Sequence, residues 1–189
     1  MGSIGPERPR VRVAPLTRLP CEPQVVRGPV ERAFGVEVEI APLPVELERA
    51  FSVQRNQLNS TTILKMLLAD LPSGVSRVLA LVDQDLFIPV LTYVFGEAQL
   101  NGTVAVASTF RLREPWQAGG APGTVLEARL VKTALHELGH TYGLRHCMHP
   151  RCVMTSAAGL EMLDEKAPAF CLACQGELRP AIARAYRAR

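Results

Sequence analysis

The sequence predicts an α/β (α+β) fold in which helices cover a sheet, ending in a short cysteine-rich C-terminal part. Three observations carry this. Arg77 to Val82 is an almost continuous apolar run between turn signals, the mark of a central strand covered on both faces. Asn101-Gly102 is the strongest hairpin dipeptide and should join a strand near Tyr93–Leu100 to an antiparallel one near Thr103–Ser108. From Thr124 onward the chain reads as an amphipathic helix: Val131, Leu135, Leu138 and Tyr142 form an apolar stripe, and Arg129, Thr133, His136 and His140 form the other face.

The remaining elements follow in chain order. Arg10 to Leu16 forms a first strand with Val11 and Val13 on one face. Glu22 to Phe34 is helical but interrupted at Gly28-Pro29, so a shorter helix can start at the proline and stop at Gly35. Val36 to Ile40 alternates cleanly, as a strand with one solvated face does. Ala41 to Gln57, with Pro42 and Pro44, is a connector holding a helical turn near Val45 to Ala50. Asn59 or Ser60 then caps a helix whose core face is Ile63, Leu64, Leu67, Leu68 and Leu71, and Pro72-Ser73-Gly74 ends it. Asp83 and Asp85 at the end of the central strand read as turn and capping groups, with an acidic subsite as the alternative. Glu114 to Gly123 is a glycine-rich loop that is either a connector or a lid. Thr124 and Glu127 have capping-box spacing at the head of the long helix. The tail after Cys174 carries Arg179, Arg184, Arg187 and Arg189 and reads as a solvated terminus or a short basic helix. Cys21 is most simply a small buried apolar group.

The chemistry is concentrated in one stretch. All four histidines and four of the five cysteines fall between Thr124 and Cys174. His136 and His140, four apart, lie one turn above each other on a helix, a spacing that zinc accepts. Glu137 lies beside the same face, where it can act as general base on a metal-activated water. Two histidines on an exposed helix face are the plain alternative. Gly143 can leave the helix with a positive φ, which lets His146 swing back toward the first two histidines. Three imidazoles with one coordination position open to water form a catalytic zinc arrangement. Cys147, Cys152, Cys171 and Cys174 can close a tetrahedral structural zinc site. Two disulfides or a redox-active C-x-x-C remain the other readings of these thiols, and His149 is a spare ligand.

H-E-L-G-H-T-Y-G-L-R-H-C, then C-V-M, then F-C-L-A-C, resembles the archaemetzincins (archaelysins), a family within the metzincin zinc peptidases. The resemblance is specific from His136 to Cys174 and runs more weakly upstream through Q-R-N-Q-L-N-S-T and D-L-F-I-P-V. It implies a single metallopeptidase domain over 1–189, with a sheet-and-helix subdomain at 1–143 and a C-terminal subdomain at 144–189. It further implies a mixed twisted sheet whose antiparallel edge strand borders the cleft, so that Gly96, Glu97, Ala98 and Gln99 would lie beside an extended substrate. By the same resemblance Met154 would form the turn beneath the metal. His136, His140 and His146 would hold a catalytic zinc, Glu137 would be the base, and the four cysteines would hold a second, structural zinc.

Composition excludes several classes. The chain is 48% hydrophobic and 21% charged, as globular domains are. A net charge of +3 is too small to argue for a nucleic-acid partner. No apolar run reaches about 18 residues, so no membrane span is expected. The polar N-terminus lacks an apolar signal core, and a reducing, cytoplasmic setting suits zinc thiolates better than disulfides. The expected activity is peptide-bond hydrolysis, as aminopeptidase or endopeptidase, by a monomer acting on peptides or proteins. The rival reading is a non-hydrolytic two-zinc protein that binds a partner through its basic tail.

Overall fold

The structure, a computed structural model, describes residues 8–113 and 122–187. Five strands form the main sheet, in the order β2-β1-β5-β8-β7. They are β1 (Arg10–Pro15), β2 (Glu37–Ile40), β5 (Arg77–Val82), β7 (Gly96–Ala98) and β8 (Val104–Ser108). All neighbours pair parallel except β7, which runs antiparallel to β8 at one edge. The mixed sheet with an antiparallel edge is therefore as expected. A small second sheet comprises β3 (Phe51–Ser52), β4 (Gln57–Asn59) and β6 (Leu86–Phe87).

Alternation along the strands divides the sheet between two cores. Val11, Val13, Leu79, Leu81, Ala105 and Ala107 face α1 (Arg27–Phe34) and α3 (Pro122–Thr141). Ala14, Val78, Ala80, Val82, Val104 and Val106 face α2 (Ser60–Ala69). Every residue of β5 is buried, which is why its sequence shows no polar alternation. Asn59 caps α2 by accepting from the Thr62 amide at 3.0 Å. Gly35 ends α1 with φ 65°. Beyond α3 lie α4 (Leu160–Glu165) and α5 (Leu172–Arg187).

Several expectations change. Leu68 and Leu71 are 41% and 36% exposed, because Leu68 lies on the outward side of α2 and Leu71 beyond its last turn. The strand expected over Tyr93–Leu100 is only Gly96–Ala98. Thr124 lies inside α3, which begins at Pro122, so it does not head a capping box. Gly123 also belongs to α3, and the rest of the expected lid, 114–121, lies outside the described residues. The polar face of α3 is not solvated. Arg129 and Thr133 are 2% and 3% exposed, because α4 and the Arg111–Arg113 turn pack against this part of the helix. Arg129 Nη2 and Nε donate to both carboxylate oxygens of Asp164 at 2.7 and 2.8 Å. The tail is no free terminus either. It forms α5, buries Leu178 and Ala181, and the Tyr186 hydroxyl donates to Gly35 O. Asp83 and Asp85 are turn groups, as preferred: Asp83 accepts from Thr109 Oγ1, and Asp85 accepts from Arg111 and Gln57.

Candidate metal centres and the cleft

The end of α3 is built by a glycine turn. Gly143 has φ 92°, its amide donates to His140 O, and the Leu144 amide donates to Gly139 O. These two bonds form a Schellman motif, which closes the helix and redirects the chain. Two residues past Leu144, His146 comes back beside His136 and His140, with ring centroids 5.3 and 5.1 Å away. One ligand nitrogen from each of the three histidines lies within 4.8 Å of the others.

Their hydrogen bonds aim them. His136 Nδ1 pairs with Val153 O at 2.8 Å and His140 Nδ1 with Leu144 O at 2.7 Å. With the Nδ1 protons so engaged, both Nε2 atoms present lone pairs, and they stand 3.1 Å apart. Two lone pairs facing each other repel unless a cation lies between them. Zinc–nitrogen bonds of about 2.0–2.1 Å in tetrahedral geometry would set ring nitrogens about 3.3–3.4 Å apart, so the trio fits that ion. Burial lowers the pKa of all three imidazoles, most strongly that of His136, which keeps them neutral and ready to ligate.

Glu137 is 6% exposed. Burial, then the nearby Glu97 carboxylate, pushes its pKa up to about 8, while the Lys166 ammonium pulls the other way. Strand β7 lies directly against it: a β-carbon on Gly96 would stand 2.7 Å from Glu137 Cγ and Oε1 and 2.6 Å from Val106 O. Only glycine fits there. Beneath the helix, Met154 is fully buried, and its sulfur packs where a β-carbon on Gly139 would be.

A cleft of about 780 Å³ opens over these groups. Its lining includes the three histidines, Glu137, Gly96, Glu97, Ala98, Thr133, Leu163 and Lys166. Gln99 lies outside that lining; its Oε1 accepts from the Thr103 amide within the hairpin. The Glu97 carboxylate accepts from the Ser60 and Thr61 hydroxyls, which fixes its orientation. Tyr93 bridges the two walls by donating to Ala158 O at 2.8 Å. Tyr142 stays in the core, stacked on Phe34 with ring centroids 4.9 Å apart.

The cysteines form a second cluster, with all four Sγ atoms within 4.8 Å of one another. Cys147–Cys171 and Cys152–Cys174 are each 3.7 Å apart, far beyond the disulfide length of about 2.05 Å. Zinc–sulfur bonds of about 2.3 Å would set tetrahedral sulfurs about 3.8 Å apart, so the cluster fits zinc, not disulfides. A hydrogen bond from the Cys174 amide lowers the Cys171 pKa, whereas burial raises those of Cys152 and Cys174. His149 is exposed and only its backbone amide meets Cys147 Sγ. Cys21 is partly buried against the core, and burial raises its pKa.

Sequence reasoning missed Lys166 and the Ser60–Thr61 support of Glu97. Lys166 belongs to no motif, and Ser60 and Thr61 end the Q-R-N-Q-L-N-S-T stretch without any sign of their partner; both features depend on contacts between distant segments.

A mixed sheet flanking a helix that bears H-E-x-x-H, with a third histidine returned by a glycine turn, defines a zinc metallopeptidase of the metzincin type. The chain belongs to peptidase family M54, whose family model matches residues 48–180. The archaemetzincin of Archaeoglobus fulgidus is 31% identical over 170 residues, covering 90% of this chain and 99% of that protein. That of Methanopyrus kandleri is 40% identical over 139 residues, 74% of each chain. The crystal structure of the Methanopyrus kandleri archaemetzincin superposes with a TM-score of 0.82 at 33% identity, covering 97% of this chain and all of that one. The Archaeoglobus fulgidus structure, complexed with malonate, gives 0.74 at 31% identity and covers 89% of this chain and 99% of that one. Among the described residues no helix is long and apolar enough to cross a membrane.

Proposed function

We propose that this zinc metallopeptidase cleaves peptide bonds with Glu137 as general base and with His136, His140 and His146 holding the catalytic zinc. The observation that carries the reading is the convergence of three neutral imidazoles beside a buried carboxylate in an open cleft. A zinc ion on these histidines would polarise the peptide carbonyl and lower the pKa of a water from about 15.7 toward about 7. Glu137 takes the proton of the attacking water and hands it to the departing amine. Burial favours the protonated form of Glu137, and a cation on the histidines favours the ionised one, so the residue is poised to hold a proton and release it. Gly96 to Ala98 pairs with an extended substrate through the open edge of β7.

Cys147, Cys152, Cys171 and Cys174 hold a second zinc with no position for water, a structural role. Residues 1–143 and 144–189 then act as two subdomains of one domain, facing each other across the cleft. The non-hydrolytic alternative gives Glu137 and the open coordination position nothing to do. The test is Glu137→Ala in zinc-loaded protein: zinc content at the histidines should persist while turnover of mixed peptides falls by about 10²–10⁴-fold. Undiminished turnover rejects the assignment.

A further inference from the structure

We propose that Lys166 forms the floor of a carboxylate-binding subsite in the cleft, which selects peptides carrying an Asp or Glu side chain beside the cleaved bond. This deepens the peptidase reading and rests on it.

Lys166 is 4% exposed yet belongs to the cleft lining. An ammonium is costly to bury and carries three donors, each of which needs an acceptor. Lys166 Nζ has one hydrogen bond, to Val153 O at 3.5 Å, the outer limit of such a contact. That oxygen already pairs with His136 Nδ1 at 2.8 Å. No carboxylate among the described residues forms an ion pair with Lys166.

The neighbouring buried cations are treated differently. Arg129 has its two-pronged bond to Asp164, and Lys132 Nζ donates to Leu163 O and Asp164 O at 3.1 and 2.8 Å. Arg129 and Lys132 are thus each held by hydrogen bonds of 2.7–3.1 Å, while Lys166 has a single long one. The carboxylates of the cleft, Glu97 and Glu137, repel an entering acid, and Lys166 attracts it.

The subsite's walls suit an acidic side chain. Thr133 lies one turn before Glu137 on α3, and Leu163 lies on α4, so a short methylene stem can pack between them. Its carboxylate then meets the ammonium below. Arg145, the other cation lining the cleft, is exposed, where charge pairing is weak.

The experiment uses zinc-loaded protein and pairs of peptides that differ only by Glu against Gln, the difference being walked through the positions around the cleaved bond. Cleavage is read as kcat/KM. Binding is read separately by calorimetry on the Glu137→Gln variant, which does not depend on turnover. At one position Glu should be preferred over Gln by about 10- to 100-fold, as a charge-assisted hydrogen bond provides. Lys166→Met should collapse that ratio to about one, and Lys166→Arg should keep part of it. Methionine has similar bulk and leaves no unpaired buried charge, so the variant should fold. The Glu-to-Gln ratio of the unaltered protein is informative even if the variant does not. Equal handling of Glu and Gln at every position overturns the subsite, as does a ratio that survives Lys166→Met. Glu-selective binding without any cleavage would instead overturn the peptidase reading and leave the subsite standing.

Discussion

Gly139 and Met154 occupy complementary space: the methionine sulfur lies 2.6 Å from the point where a β-carbon on residue 139 would sit. Phe170 closes the same spot, 3.2 Å from that point. The glycine between the two helical histidines is thus a packing requirement that lets the segment after His146 come up under α3.

Gly139→Ala should force Met154 aside. Overpacking of this kind costs about 1–3 kcal/mol, and the displaced methionine lies under the histidines. A lower melting temperature and weaker zinc binding are expected, with Met154→Ala in the same chain giving a less than additive loss. Unchanged melting and zinc titration curves would contradict the contact.

Gly96→Ala should cost stability and chemistry together, since the added methyl would stand 2.6 Å from Val106 O of the paired strand as well as against Glu137. The added methyl meets Glu137 Cγ and Oε1, so the carboxylate must move. A displacement of about 1 Å can cost about 10²-fold in rate. The measurement is kcat/KM at full zinc occupancy, and retained turnover would show that Glu137 tolerates the shift.

Removing one thiol should cost more than one metal ligand. Structural zinc binding is worth about 10–16 kcal/mol in small peptides, against a whole-domain stability of about 5–15 kcal/mol. Cys171→Ala should therefore lose the second zinc and expose the C-terminal segment to proteolysis. Because His146 and Cys147 are neighbours, occupancy at the histidines should fall too. Metal analysis and limited proteolysis decide; a protease-resistant variant with a full histidine site would break the coupling.

Acid should loosen the fold of the metal-free protein below about pH 6.5. Burial lowers the folded-state pKa of His136, His140 and His146 from 6.5, so the unfolded chain takes up more protons as pH falls through that value. Stability then rises with pH across the window and is lost on acidification. Glu137, raised from 4.5 to about 8, acts in the opposite sense with a single proton. Melting temperature should drop from pH 6.5 to 5.5. A flat or rising curve would show that the histidines are not shielded as described.

The site was more legible in the sequence than its surroundings. His136, His140, Gly143 and His146 are close in the chain, so helix geometry and one glycine turn bring them together. The order of the sheet and the cover over Arg129 and Thr133 were not legible. The first depends on pairing between strands distant in the chain, and the second on α4, a six-residue helix too short to announce itself by periodicity. The docking of α5 was hidden by its arginines, since Arg179 and Arg184 lie on the exposed side while Leu178 and Ala181 face the core. Lys166 could be found only by folding, because what distinguishes it is a shortage of partners.

Strand β7 pairs with β8 on one side and leaves its other side unpaired within the sheet. Such a margin is a hazard as well as an opportunity, because another copy of the chain could zip onto it. Here the hazard is limited by size. Three residues, cut off by the Asn101 turn and with Gly96 pressed against a carboxylate, give too short a template for fibril-like growth.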